Sequence, residues 1–302
     1  MSVVVVGSVA LDSIKTPFGE RSDVLGGSAT YFSYAASFFT DVKVVGVVGK
    51  DFPARHLQLL KKRGIDLAGI QTADGDTFRW SGYYEKDLNE AKTLDTRLNV
   101  FQTFKPVLPE TYRDADAVFL ANIDPDLQLE VLTQVRRPKL VAADTMNLWI
   151  ATKKNRLTEL LKRVDLMVLN EGEARQLTGE AGLVKAGRRI QAMGPDYVVI
   201  KKGEHGALLF CRKNVYPSPA YPLEDVFDPT GAGDTFAGGF IGYLNKMGNR
   251  LTDDVLHRAL FHGTVMASFT VEDFSLDRLK KVKPADLLAR FRALTRAVAL
   301  KS

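Results

Sequence analysis

The stretch from Asp228 to Phe240, DPTGAGDTFAGGF, constrains the fold of this chain more than any other feature. Its glycine-rich first half predicts a loop over residues 230–233, and the apolar run that follows to Leu244 predicts a helix. Gly231 and Gly233 carry no Cβ, so the backbone can turn sharply there and approach a ligand closely. The first N–H groups of a helix lack intrahelical partners and lie at the positive end of the helix dipole. The stretch therefore predicts a helix N-terminus that binds an anion.

Asp234 lies inside this predicted anion site. A carboxylate there can accept the proton of a hydroxyl group that attacks a phosphoryl group held by the N–H groups. The alternative is an ordinary aspartate at the start of a helix, which a shorter glycine pattern would favour. The full run of Asp, Thr, paired glycines and a second Asp favours the catalytic interpretation.

The stretch closely resembles the D-T-x-G-A-G-D signature of the PfkB (ribokinase-like) carbohydrate kinase family, with Pro229 at a position that is often Thr. Members of that family are ATP-dependent kinases of small molecules. The resemblance implies that Asp234 is the catalytic base. It also implies an anion hole formed by Gly231, Ala232 and Gly233.

Strand-like and helix-like segments alternate along the 302 residues, beginning with the β-branched run from Val3 to Gly7. This alternation predicts an α/β fold with a mostly parallel sheet and helices on both faces, the three-layer ribokinase-like fold that the resemblance implies. We expect one kinase domain over residues 1–302. A small β lid is expected mainly from about residues 12–25 and 77–104.

The charge pattern and the single cysteine narrow the classes of function. The net charge is only +5 and the basic residues are scattered, so we expect neither a nucleic-acid partner nor a membrane surface. One cysteine, Cys211, cannot form a disulfide within the chain. The chain starts without a basic leader segment, which predicts a cytoplasmic protein.

Residues for the phosphate acceptor are expected in the first third of the chain. Asp12 follows the first predicted strand, at the edge where open α/β sheets bind ligands, and the resemblance implies that it holds substrate hydroxyls. The pair Gly26 and Gly27 resembles the family's N-terminal G-G signature and is expected to pass close to the substrate. Trp80 is expected on the lid, either in its core or in contact with the substrate.

Tyr31 stands where relatives that phosphorylate ribose or fructose usually carry Asn. An Asn side chain can donate to and accept from neighbouring hydroxyls, whereas Tyr offers one hydroxyl and a large ring. We therefore expect Tyr31 to contact the acceptor, and we expect free ribose to be a poor acceptor.

Asn170 and Glu173 match the family's N-x-x-E motif. This motif implies that Glu173 acts on Mg²⁺ through water while Asn170 lies near the nucleotide. The same spacing also fits a capping box at a helix start, which is a structural alternative.

Three more positions are expected near ATP. Lys201 precedes the turn with Gly203 and Gly206, which resembles the nucleotide platform of the family. Lys201 is a candidate phosphate contact, and a solvated lysine pair with Lys202 is the alternative. Thr230, in the loop before the anion hole, is expected beside the bound nucleotide.

Two further segments depart from the family pattern. Residues 144–149 resemble a degraded form of the family's D-x-N-x-R-x-x-L-W run, which places Asp144 near the phosphate and metal site. Residues 268–274 replace the glycine-containing segment that helps build the monovalent-cation site of ribokinases, so the sequence does not support potassium activation.

The predicted function is transfer of the γ-phosphoryl group of ATP, with Mg²⁺, to a hydroxyl group of a small sugar or polyol. A nucleoside kinase of the adenosine kinase type uses the same chemistry with an aromatic-lined pocket and remains an alternative. A catalytically silent sugar sensor is the alternative from another class. We also expect that two copies can pair through the lid.

Overall fold

The computed structural model describes residues 1–86, 88 and 91–299. Residues 87, 89 and 90 of the predicted lid, and residues 300–302 of the predicted domain, lie outside the described residues. The strands are β1 (Ser2–Val6), β2 (Ala10–Thr16), β3 (Gly19–Gly26), β4 (Asp41–Gly49), β5 (Asp66–Ala73), β6 (Arg79–Tyr83), β7 (Lys92–Arg97), β8 (Ala117–Leu120), β9 (Leu140–Asp144), β10 (Leu166–Asn170), β11 (Tyr197–Lys201), β12 (Ala207–Cys211) and β13 (Asn214–Ser218). The helices are α1 (Ser28–Ala36), α2 (Ala54–Lys62), α3 (Pro125–Leu132), α4 (Asn147–Thr152), α5 (Lys154–Leu161), α6 (Glu171–Thr178), α7 (Leu183–Gln191), α8 (Ala232–Lys246), α9 (Asp253–Thr270) and α10 (Pro284–Val298).

The large sheet has the strand order β13-β12-β11-β10-β9-β8-β1-β4-β5. From β11 to β5 every neighbouring pair is parallel, whereas β12 and β13 add antiparallel to one edge. The central strand β1 is a run of valines that packs on both faces, since Val3 and Val5 belong to one hydrophobic core and Val4 and Val6 to the other. Such continuous apolar strands are typical of a parallel sheet that is covered by helices on both faces.

The two cores define the layers of the fold. Buried residues of α1, α2, α8, α9 and α10 pack with the first core, and those of α3 to α7 pack with the second. The predicted three-layer α/β arrangement is therefore present. No helix in the described part of the chain has the length and apolarity needed to cross a bilayer.

A second, smaller sheet has the order β3-β2-β6-β7 and contains residues from both predicted lid segments. Strand β2 pairs antiparallel with β3 and parallel with β6, in a register that places Asp12 beside Trp80. Its outer strand β7 is exposed along its whole length. That this sheet acts as a lid over a substrate remains a prediction.

Candidate active site

Polar side chains meet at the carboxyl edge of the large sheet, where the parallel strands end. Asp144 ends β9, Asn170 ends β10 and Lys201 ends β11, while Asp12 lies on β2 shortly after β1. The first turn of α8, which contains Asp234, lies at the same edge. Ligands of open α/β sheets bind at this edge, so the sequence-predicted residues lie where the fold favours a site.

Helix α8 begins as the glycine-rich motif predicts. Gly231 has a φ of 76° and precedes the helix, and the N–H of Thr235 donates to the Gly231 carbonyl at 2.8 Å. The N–H of Ala232 donates to the Pro229 carbonyl at 3.1 Å and so is used within the turn. Among the described residues, the N–H of Gly233 has no acceptor. The helix start therefore offers Gly233 to an anion more directly than Ala232.

The Tyr31 ring packs underneath this turn. A Cβ placed on Gly231 would lie 2.4 Å from the ring, so the turn accepts only glycine there. Tyr31 is 1% exposed, in the first turn of α1. Tyr31 therefore packs below the anion hole. The sequence had suggested that Tyr31 contacts the acceptor, but in this structure its side chain forms no open surface for such a contact.

Asp12 is a buried carboxyl group that interacts electrostatically with Asp228 and Asp234. Its carboxyl oxygen occupies the space beside Gly26, where a Cβ would lie 1.9 Å away, and the Gly27 N–H donates to it. Burial, together with the charges of Asp228 and Asp234, raises the pKa of Asp12 to about 8, against the effect of the Gly27 hydrogen bond. Asp12 is therefore predominantly protonated in the ligand-free protein at neutral pH.

Asp228 and Tyr84 belong to the site, although the sequence analysis assigned them no role. The Asp228 carboxylate accepts from the N–H of Thr230 at 2.9 Å and from that of Ser275 at 3.3 Å. The Thr230 hydroxyl donates to the Tyr84 phenol oxygen at 3.2 Å. Both residues had a signal in the sequence. Asp228 is the first residue of the glycine motif, and Tyr84 follows Trp80 at an even spacing, which places both on one face of an extended strand.

The side chain of Lys201, the last residue of β11, reaches the first turn of α8. Its Nζ atom is 3.2 Å from Asp144 Oδ2, and a Cβ on Gly233 would lie 3.0 Å from it. The side chain of Lys201 is only 16% exposed, and that of Asp144 is 6% exposed. The alternative of a solvated lysine pair is wrong for Lys201.

Three carboxyl groups surround this ammonium group. Burial and the charge of Asp144 raise the pKa of Asp234 to about 7, although Lys201 opposes the rise. Burial and the charge of Asp144 likewise raise the pKa of Glu173 to about 7. Burial alone lowers the pKa of Lys201, but Asp144, Glu173 and Asp234 together raise it above its ordinary value. Lys201 therefore stays charged, and Asp234 titrates close to neutral pH, where a general base is most effective.

Asn170 and Glu173 form a complete capping box at the start of α6. The N–H of Glu173 donates to Asn170 Oδ1 at 2.8 Å, and the N–H of Asn170 donates to Glu173 Oε2 at 2.7 Å. The capping box that the sequence analysis gave as an alternative is thus present. Glu173 also interacts electrostatically with Asp144 and Lys201, so it caps the helix and belongs to the charged cluster at once.

The remaining predicted residues lie in the turn after β11 and on the lid sheet. Gly203 starts a single 3₁₀ turn, and the Gly206 carbonyl accepts from the Lys202 N–H at 2.7 Å. The Trp80 indole N–H donates to Thr93 Oγ1 at 3.2 Å, which fixes the ring on the smaller sheet.

Magnesium fits this site only together with other ligands. Within the described residues, no cluster of three or more His, Cys, Asp or Glu side chains is arranged to hold a metal ion. Mg²⁺ commonly keeps several waters and binds one or two carboxylates plus substrate phosphates. The buried carboxyl group of Glu173 can supply one such carboxylate.

The sequence resembles known kinases over most of its length. The model of the pfkB family carbohydrate kinase matches residues 2–280. The cytidine kinase of Thermococcus kodakarensis is 32% identical over 251 residues, which are 80% of this chain and 88% of that protein. The nucleoside kinase of Methanocaldococcus jannaschii is 23% identical over 281 residues, which are 88% of this chain and 89% of that protein.

Solved structures show the same fold. The crystal structure of the Methanocaldococcus jannaschii nucleoside kinase has a TM-score of 0.76 at 20% identity, covering 97% of this chain and 98% of that chain. An Escherichia coli ribokinase II candidate in complex with ATP and Mg²⁺ has a TM-score of 0.79 at 17% identity. The match covers 97% of this chain and 99% of that chain. The predicted ribokinase-like fold is confirmed. The chain belongs to the pfkB family of carbohydrate kinases, and it is an ATP-dependent phosphotransferase that acts on a hydroxyl group of a sugar or nucleoside.

Proposed function

We propose that this protein phosphorylates the primary hydroxyl of a ribonucleoside, with cytidine as the first acceptor to test. The observation that carries the proposal is the register of β2 and β6, which pairs Trp80 with Asp12 in the smaller sheet. Residues paired in this way project from the same face of a sheet. A carboxyl group that binds the ribose hydroxyls would thus have a flat aromatic surface next to it for the base. The similarity to a cytidine kinase over 88% of that relative supports the same choice.

The proposed reaction divides the site into three parts. Asp12 holds the ribose hydroxyls, and its raised pKa lets it both donate and accept a hydrogen bond. Asp234 takes the proton of the attacking hydroxyl. The Gly233 N–H and the Lys201 ammonium group stabilise negative charge on the transferring phosphoryl group.

The nucleotide is proposed to lie along the turn from Gly203 to Gly206, with Asn170 and Thr230 beside its phosphates. Glu173 would hold Mg²⁺ through water, and the ion would neutralise part of the charge of the phosphates. No potassium requirement is proposed. The N–H of Phe227 donates to the Val271 carbonyl at 2.8 Å, which ties the loop before α8 to the end of α9.

We further propose that two copies associate through the smaller sheet. Its outer strand β7 is exposed along its whole length, and the Leu94 side chain on it is 64% exposed. An exposed strand edge is a template for pairing with another chain. Leu94→Glu would keep such a dimer apart, and light scattering after gel filtration would measure the change in mass.

The acceptor is tested by measuring ADP formation with cytidine, uridine, adenosine, free ribose and myo-inositol. We expect a nucleoside to have the highest kcat/KM and ribose to be poor. Trp80→Leu should lower kcat/KM for nucleosides by roughly 10-fold, since loss of a stacked aromatic contact costs about 1–3 kcal/mol. It should leave the value for ribose nearly unchanged, so ribose is the internal control. A higher kcat/KM for a free sugar or polyol than for every nucleoside would overturn the proposal.

A further inference from the structure

The position of the Lys201 ammonium group requires an explanation. It is buried against Gly233, in the first turn of α8. The N-terminus of a helix carries partial positive charge, so a cation there is repelled and an anion is attracted. A lysine side chain left to itself would turn away toward solvent, because its long stem has many accessible rotamers. Something in the structure must therefore hold Lys201 in place.

Asp144 provides the direct contact that holds Lys201. Its Oδ2 lies 3.2 Å from Lys201 Nζ, and its Oδ1 accepts the Thr145 N–H at 2.7 Å. Asp144 ends β9 and Lys201 ends β11, so the pair reaches across the end of the intervening strand β10. The carboxylate is fixed by its own backbone on one side and directs the ammonium group toward α8 on the other.

A buried amide holds the backbone of Asp144 in turn. Gln128 is fully buried, and its Nε2 lies 3.1 Å from the Leu120 carbonyl, 3.0 Å from the Ala121 carbonyl and 3.0 Å from the Asp144 carbonyl. Strands β8 and β9 pair only as far as Leu120 and Ala143. Gln128 thus joins the two strand ends beyond the last paired residues, where a parallel sheet would otherwise separate.

We propose that Asp144 is a positioning residue for phosphoryl transfer, which acts through Lys201 by holding its ammonium group over the start of α8. The proposal rests on the phosphate-binding role proposed above for Lys201. Without Asp144 the Lys201 ammonium group is free to move away. The transferring phosphoryl group then faces a mobile positive charge in place of a fixed one. Preorganised charge of this kind requires no rearrangement when the reaction occurs, and this makes it effective.

A double-mutant cycle tests the proposal. Lys201→Met is expected to lower kcat by about 100-fold, the range measured for loss of one preorganised donor. Asp144→Asn is expected to lower kcat by roughly 10-fold, because the amide keeps the shape and loses the charge. If Asp144 acts through Lys201, the double variant has the kcat of Lys201→Met alone. If the two effects multiply, or if Asp144→Asn has the kcat of the wild type, the proposal is wrong.

Asp116→Asn is the matched control. Asp116 forms a more exposed ion pair with Lys139 at 3.0 Å, immediately before β8 and thus at the opposite edge of the sheet. This variant should keep the kcat of the wild type. An equal loss of kcat in Asp116→Asn would show that breaking any such pair damages the enzyme. Melting temperatures of all variants separate a loss of folded protein from a loss of kcat.

The cycle does not depend on which acceptor is correct, because it is measured with whichever acceptor the wild type phosphorylates fastest. Failure of the nucleoside proposal therefore leaves this test intact. The affinity of the same four proteins for ATP with Mg²⁺, measured by calorimetry, gives a second cycle without turnover. Additive losses of affinity would contradict the proposal there too.

Discussion

The Thr230 hydroxyl donates a hydrogen bond to the Tyr84 phenol oxygen at 3.2 Å, and this bond joins the smaller sheet to the loop that precedes α8. Tyr84 follows directly after β6, and its N–H donates to the Lys15 carbonyl of β2 at 2.9 Å. The charges of Asp228 and Asp12 both act on the phenol group. Tyr84 therefore lies between the carboxyl group proposed to hold the acceptor and the loop proposed to hold the phosphate.

Tyr84→Phe removes this hydrogen bond and keeps the ring. A typical hydrogen bond contributes about 0.5–1.5 kcal/mol, so we expect KM for the acceptor to rise by roughly 2–10-fold with a smaller effect on kcat. Steady-state kinetics at saturating ATP would measure both. Tyr83→Phe is the matched control, since Tyr83 is the neighbouring residue on the alternate face of β6. Equal effects of the two substitutions would rule out a specific role of the bond to Thr230.

Asp234→Asn tests the catalytic base. It keeps the shape of the side chain and removes its basicity, so kcat should fall by about two to four orders of magnitude. KM for ATP should change little, because the Gly233 N–H and Lys201 remain in place. A kcat near that of the wild type, in a variant with an unchanged melting temperature, would remove Asp234 from the proposed mechanism.

The pH dependence of kcat/KM should report the raised pKa of Asp234. A base must be deprotonated, so activity is present above the pKa and is lost as the pH falls through about 7. Because the charge of Lys201 lowers this pKa, Lys201→Met should move the acidic limb to higher pH. An acidic limb near the ordinary value of 3.8 would show that burial does not perturb Asp234 as the structure implies.

Glu173→Gln separates the two roles of that residue. Glutamine can still accept the Asn170 N–H, so the capping box and the melting temperature should persist. Loss of the charge should raise the Mg²⁺ concentration for half-maximal rate by roughly 10-fold. The control is Asp286→Asn, which alters the equivalent capping contact at the start of α10, where Asp286 accepts the Lys283 N–H at 2.8 Å. An unchanged Mg²⁺ dependence in Glu173→Gln would leave only the structural role.

The layers of the fold were accessible from the sequence because their signals are local. Valine runs such as β1 and the glycine motif before α8 each act over a few residues, and the structure forms a strand and a helix there. The capping box of Asn170 and Glu173 was equally visible, since its two members are three residues apart. Local patterns of this kind predict elements and helix starts well.

The arrangement of the charged cluster was not accessible in this way. Nothing in the sequence around Lys201 distinguishes it from its neighbour Lys202. The position of the Lys201 side chain results from Asp144, which is two strands away in the sheet. The burial of Tyr31 likewise depends on Gly231, a contact between the first turns of two distant helices. Such side-chain positions follow from packing over long sequence separations, which spacing alone does not reveal.

Asp12 should reduce the stability of the folded protein at alkaline pH. Its pKa is raised from 3.8 to about 8 by burial and by Asp228, so the folded state retains a proton that the unfolded chain has already released. Stability from such a group is present below the unfolded pKa and is lost as the pH rises through the folded pKa. The predicted loss therefore extends from about pH 4 to about pH 8.

Asp12→Asn removes this titration and should raise the melting temperature at pH 8 by at least about 2–4 °C, the shift that 1 kcal/mol produces in a protein of this size class. The gain should shrink as the pH is lowered toward 4. Asp51→Asn is a control of opposite sign. Burial raises the pKa of Asp51, but hydrogen bonds from Thr77 and Arg79 outweigh burial, so the pKa lies below its ordinary value. That variant should lower the melting temperature at pH 8, with the difference fading as the pH falls below 4. A melting temperature for Asp12→Asn below that of the wild type at pH 8 would mean that Asp12 is ionised in the folded protein and stabilised by the Gly27 N–H.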